Sequence, residues 1–149
     1  MQTETVYNGE YSITTDQSKF DLEVIHHYLA YDSYWAQNIP METVKKMIAN
    51  SLCFGVLYQD KQIGFARTIT DKAVFAYLAD VFILPEHRGR GLSKWLMQTI
   101  ISHPDLQGLR RILLVTSDAH GLYEKFGFEL IKNPDKFMHI HNPDVYTKQ

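Results

Sequence analysis

Three observations along the 149 residues predict an α+β domain built on a mixed sheet. Residues 52–58, 63–70 and 74–84 are successive runs rich in β-branched and aromatic residues, and only a few residues separate them. Breaks that short fit hairpins, so the three strands are expected to pair antiparallel. Before and after this block the apolar residues recur every three or four positions, the spacing of amphipathic helices. A further apolar strand follows the last long helix and completes the α+β pattern.

Taken in order, residues 11–14 read as a short strand. Phe20, Val24, Ile25, Tyr28 and Leu29 then share a helical face. A second helix starts near Pro40 and carries Val44, Met47 and Ile48 on one side. Asp60-Lys61 and Asp71-Lys72 mark the turns between the central strands, the third of which is the most apolar and ends at Pro85. Leu92, Trp95, Leu96, Thr99, Ile100 and His103 repeat along a helix that Pro104 stops. Residues 112–115 form a strand of buried type. A short helix from about Ala119 carries Leu122, Tyr123 and Phe126, with Gly127 where a helix C-terminus takes a left-handed residue. Residues 128–131 and 137–141 are predicted as two last strands, giving the order β-α-α-β-β-β-α-β-α-β-β.

Composition narrows the function. Fifteen Lys and Arg against 17 Asp and Glu leave a net charge of −2, and 45% of the residues are hydrophobic. This is the balance of a soluble domain, and about 150 residues bury a sizeable core without disulfide or metal. A single domain over 1–149 is the simplest organisation, since no repeat, low-complexity run or flexible linker divides the chain. Nucleic acid is not expected as a partner, because its binders carry a basic excess. One cysteine, no leader pattern and no apolar run of membrane-spanning length point to the cytoplasm, with no membrane partner.

The sharpest local signal is Pro85-Glu86-His87-Arg88-Gly89-Arg90-Gly91-Leu92-Ser93, between an apolar strand and an amphipathic helix. Gly89 and Gly91 let the backbone turn tightly and bring its N–H groups against an oxyanion. Arg88 and Arg90 add positive charge where the helix dipole is already positive. The loop suits a pyrophosphate. It is neither a P-loop nor a dinucleotide fingerprint, lacking the Lys-Ser/Thr pair of the first and the third glycine of the second.

With these residues in place, the chain resembles the GNAT superfamily of acetyl-CoA-dependent N-acetyltransferases. Residues Arg88 to Ser93 match the family's Arg/Gln-x-x-Gly-x-Gly/Ala pyrophosphate loop, with Ser93 in place of the final small residue. Leu122-Tyr123-Glu124-Lys125-Phe126-Gly127-Phe128 matches a Leu-Tyr-x-x-x-Gly-Phe segment whose tyrosine faces the coenzyme sulfur. The order of elements covers essentially the whole chain. The resemblance implies a mostly antiparallel mixed sheet in three α/β/α layers, with acetyl-CoA as cofactor. Arg88, Gly89, Arg90, Gly91, Leu92 and Ser93 would hold its pyrophosphate. Its pantetheine arm would pair with the backbone of Val81, Phe82 and Ile83. Thr116 stands where many members carry Asn, a shorter donor in the same place.

Acetyl transfer needs a neutral amine, a polarised carbonyl and a protonated leaving thiolate. Asp80 is the sole charged side chain between Lys72 and Glu86, within a strand where an ionised carboxylate is costly unless paired or at a cavity. It either binds the amine and serves as base, as an acidic residue at this position does in some small-amine members, or is a structural carboxylate bonded to backbone or to Arg67. Tyr123 is the candidate acid, its phenol able to pass a proton to the thiolate as the tetrahedral intermediate collapses. A backbone N–H at Val81 or Phe82 would meet the oxyanion. Tyr28, Tyr31, Tyr34 and Trp35, ahead of the sheet, and Tyr77, on its third strand, are candidates for the acceptor wall, against the alternative of ordinary aromatic packing, which Tyr28's place on the apolar helix face favours. The acceptor is expected to be the primary amine of a small molecule, with a protein amine or a non-catalytic acyl-CoA sensor as alternatives, and the chain is compatible with a homodimer.

Other signals are discounted. Cys53 lies in an apolar strand and reads as packing. His26 and His27 point apart on a helix, and His139 and His141 offer only two ligands, so no metal is expected. His120 lies one helical turn before Tyr123 and is more often an exposed residue than a site residue.

Overall fold

The computed structural model describes residues 3–146. Six strands form one sheet in chain order: β1 (Thr5–Asn8), β2 (Tyr11–Thr14), β3 (Leu52–Tyr58), β4 (Lys61–Thr70), β5 (Phe75–Ile83) and β6 (Arg111–Leu114). The first five pair antiparallel with their neighbours, and β6 runs parallel to β5. This is the predicted α+β fold with a mixed, mostly antiparallel sheet. The three central strands lie where their composition places them. Gln59 and Asp60, both at positive φ, make the two-residue β3–β4 turn. Asp71 holds the next turn by accepting three backbone N–H bonds, from Ala73, Val74 and Phe75, which keep its carboxyl below the usual range.

The described residues form four α-helices: α1 (Leu22–His27), α2 (Met41–Ala49), α3 (Leu92–Ser102) and α4 (His120–Glu124). Asp21 caps α1 through bonds from the N–H groups of Glu23 and Val24, and its own N–H is held by Gln62 Oε1 of β4 at 2.6 Å. The helical pattern predicted to reach Leu29 changes pitch at Tyr28, where a π turn spans Tyr28–Asp32.

The strand alternation separates the layers. Gly55, Phe65 and Phe82 point toward α1: the Phe20 ring, just before α1, stands edge-on to Phe65, and a Cβ on Gly55 would lie 2.7 Å from that ring. Phe54 points to the other face, edge-on to His103 at the end of α3. The central layer is therefore packed on both sides, with Phe54, Phe65, Ile25, Val44, Leu96, Met97 and Ile100 essentially inaccessible to solvent.

The chain divides into two compact units, one up to Val115 and one from Thr116 onward. The second holds α4. Thr116 Oγ1 accepts from the N–H groups of Ala119 and Asp118 at its start, and Gly127, at φ +92°, ends the turn in the left-handed region as expected.

Two corrections to the predicted elements follow. The segments 128–131 and 137–141 form no strands. They have the composition of strands, but composition alone does not make one, because a strand's backbone groups need a partner ladder. Conversely, β1 was absent from the prediction. It has only four residues, three of them exposed, so it lacks the apolar alternation by which strands are recognised. Its trace in the sequence is the turn, where Gly9 takes φ +61°.

Candidate active site

The site is built by one irregularity in β5. Phe82 pairs with Phe65 and Ala79 with Arg67, so Asp80 and Val81 together stand opposite Ala66. This is a β-bulge, with Asp80 at φ +56°. Regular alternation would send Asp80 and Phe82 to the α3 face, away from Ala79 and Arg67. The extra residue resets the alternation and brings Phe82 onto the α1 side, where Asp80 meets Arg67. Aspartate tolerates the left-handed region better than most side chains.

The Asp80 carboxylate is 9% exposed and held at both oxygens. Trp35 Nε1 donates to Oδ1 at 2.7 Å, and Arg67 Nε donates to Oδ2 at 2.8 Å. Arg67 also donates from Nη1 to Ser51 Oγ at 3.3 Å. A carboxylate offers about four lone-pair directions, so two fixed donors orient it and leave room for another donor, such as an amine. Of the two roles open to Asp80, the ion pair with Arg67 is thus present, and it is compatible with an amine at the remaining lone pairs.

An aromatic surface adjoins the carboxylate. Tyr28 stacks on Phe82 at 4.1 Å and 10°, Trp35 tilts against Tyr28, and Tyr34 stands edge-on to Trp35 at 5.0 Å. Trp35 and Tyr34 are exposed on their outer sides. Tyr77 lies half-buried on β5, opposite Ile69 and two positions before Ala79. Tyr31 is not in this group; its ring meets His26 and His27 instead.

From Ala79 to Ile83, β5 continues beyond its parallel pairing with β6, which covers only Phe75–Leu78. Val81 is half-buried in this stretch, and Phe82 and Ile83 are buried. The chain then enters the glycine loop. Gly89 and Gly91 take φ +80° and +77°, and a Cβ on either would meet nothing within 4 Å, so the space beside both is open. Gly91 precedes α3, whose N-terminus has no side-chain cap, leaving its first N–H groups to a ligand. Leu92 anchors this helix start in the core, and Ser93 is half-buried beside it.

Arg90 is exposed. Arg88 donates from Nε to the Ile83 carbonyl at 2.8 Å and from Nη2 to Tyr28 Oη at 3.1 Å, tying the loop to the end of β5 and to the aromatic surface. His87 adds an anchor to β2 through a 2.7 Å bond between Nδ1 and Tyr11 Oη. His87 is the support that sequence reasoning passed over, because it has no partner nearby in sequence.

Tyr123, on α4, is buried with its ring edge-on to Phe128, and its carbonyl accepts the Phe128 N–H. Thr116 Oγ1 accepts the Ala119 N–H just ahead of α4, which leaves its hydroxyl proton to donate.

Cys53 faces Arg67 across the β3–β4 ladder. Burial outweighs that positive neighbour and pushes its thiol up to about 12. It stays protonated at neutral pH and is no nucleophile. Among the described residues no group of three or more His, Cys, Asp or Glu could hold a metal ion, and no helix is long and apolar enough to cross a membrane.

Comparison with known proteins matches residues 49–130 to the acetyltransferase (GNAT) domain family. A protein of Gibberella zeae named as an acetyltransferase is 34% identical over 140 residues, covering 78% of this chain and 77% of its own. The crystal structure of a GNAT-family acetyltransferase from Xanthomonas campestris pv. campestris is 50% identical, with a TM-score of 0.90 over 93% of this chain and 97% of the other. A GNAT-family acetyltransferase from Elizabethkingia anophelis, solved with acetyl-CoA bound, shares the fold at 13% identity, with a TM-score of 0.62 over 89% and 88%.

Proposed function

Because the chain belongs to the GNAT family and is an acyltransferase, we propose that it moves an acetyl group from acetyl-CoA to the primary amine of a small molecule by direct attack. The observation that carries this reading is the β5 bulge, which presents a fixed carboxylate and an aromatic surface at a strand edge leading into an open glycine loop. When bound, acetyl-CoA supplies an acyl group activated as a thioester. The residues present suit it: the uncapped N–H groups of α3, the open space at Gly89 and Gly91, and the charge of Arg88 and Arg90 fit a pyrophosphate. Ser93 and Thr116 add hydroxyl donors. The backbone of Val81, Phe82 and Ile83 offers an edge to the pantetheine amides.

Asp80 receives the acceptor's amine and takes its proton directly or through water, oriented by Trp35 and Arg67. An N–H of the bulge, at Val81 or Phe82, serves the carbonyl oxygen as negative charge develops. Tyr123 gives its proton to the departing sulfur. Tyr34, Trp35 and Tyr77 line the acceptor side.

A panel of alkylamines, aralkylamines, polyamines, amino sugars and peptides, incubated with acetyl-CoA and read by free-thiol release, tests this. Buried Cys53 adds no signal to a thiol reagent in the folded protein. Turnover with a small amine is expected; turnover with peptides alone would move the acceptor to proteins, and acetyl-CoA binding without any turnover would make the chain a sensor.

A further inference from the structure

Arg88 stands at the head of the glycine loop, yet two of its N–H groups are given to the protein: Nε to the Ile83 carbonyl at 2.8 Å and Nη2 to Tyr28 Oη at 3.1 Å. A guanidinium carries further N–H donors beyond these. Arg88 is exposed, so they remain for an anion in the open space beside Gly89 and Gly91. From the arginine, Tyr28 leads to the acceptor side by two contacts. Its ring stacks on Phe82 at 4.1 Å, next to the bulge, and tilts at 6.4 Å against Trp35, whose indole N–H is bonded to Asp80 Oδ1. The hydroxyl thus faces the phosphate loop while the ring faces the groups that orient the carboxylate. A phenylalanine would fill the same stack; what the tyrosine adds is the bond from Arg88.

We propose that Tyr28 is a positioning residue, through which a pyrophosphate on the glycine loop sets Trp35 and Asp80 for the amine. The inference rests on the coenzyme and acceptor assignments above. An anion that fixes the Arg88 head narrows the positions open to the Tyr28 ring, and with them those of Phe82 and Trp35. An acceptor side already ordered in this way loses less conformational freedom when the amine arrives. By linkage, the amine strengthens coenzyme binding by the same factor.

Contacts supply the route, and a probe confined to one end measures the coupling. ADP has the pyrophosphate but no pantetheine arm, so it loads the loop without extending along β5. Titrated into 15N-labelled protein, ADP should shift the indole N–H signal of Trp35, which is told from that of Trp95 by its loss in Trp35→Phe. Tyr28→Phe keeps the ring and lacks the hydroxyl. It should bind ADP nearly as tightly as wild type and lose most of the Trp35 response, and its KM for an amine that turns over should rise roughly fivefold or more, the low end of site-to-site coupling. A purely structural Tyr28 would move the resting Trp35 signal and leave its response to ADP intact. ADP binding without a Trp35 response, or with the same response in Tyr28→Phe, would overturn the coupling and leave the coenzyme assignment standing. Failure of both ADP and coenzyme A to bind would overturn the two together.

Discussion

Tyr123→Phe is expected to lower kcat for acetyl transfer roughly 10²- to 10⁴-fold, the range for losing a positioned general acid. The substitution removes one hydroxyl and keeps the ring. The buried position, the edge-on contact with Phe128 and the bond from the Phe128 N–H to the Tyr123 carbonyl are all preserved. The fold and the KM for acetyl-CoA should therefore stay close to wild type, so the loss falls on the chemical step. Thiol release under saturating acetyl-CoA measures it, with circular dichroism as the control for folding. A kcat equal to that of wild type would remove the acid role from Tyr123.

Arg67→Met is expected to cost about 3–5 kcal/mol of stability, the usual penalty for stripping one partner from a buried ion pair. Both side chains are mostly buried, with Asp80 the more enclosed. Removing the guanidinium leaves Asp80 with Trp35 as its one remaining donor and Ser51 without its bond from Nη1. Thermal unfolding should show the loss as a fall in Tm, about 2–4 °C per kcal/mol for a chain of this size. The double variant Arg67→Met/Asp80→Asn should recover part of it, because the uncompensated charge is gone, and a double-mutant cycle measures that coupling. Equal melting of wild type and Arg67→Met would show that the pair carries no stability.

The sequence exposes the central strands and the glycine loop because both rest on local rules. Runs such as 52–58 and 63–70 can bury themselves in only a few ways, and a glycine at positive φ is a single-residue requirement. The bulge at Asp80 has no such signature: it comes from the register that Phe65 and Arg67 impose on β5, and register is a property of two strands. Of Asp80's two partners, the sequence suggests Arg67, 13 positions away, whereas it gives no sign of the bond from Trp35, 45 positions away. The aromatic cluster was half-legible. Tyr34 and Trp35 lie with the site, whereas Tyr31 turns to the histidines of α1 because the π turn after His27 changes the direction in which it points. The last two segments fail as strands for the opposite reason. Their local pattern is right, and what a strand also needs is a neighbour.

The kinetics of Asp80→Asn test most directly whether the bulge builds the acceptor site. Asparagine tolerates the left-handed backbone and nearly matches aspartate in shape, but it removes the charge that pairs with Arg67 and replaces one accepting oxygen with a donor, so thermal unfolding is measured beside the kinetics. Measured across pH with each substrate varied in turn, the variant should show a raised KM for the amine, a changed pH profile of kcat/KM and a nearly unchanged KM for acetyl-CoA. Wild-type values for the amine at every pH would contradict the assignment of Asp80 to the acceptor.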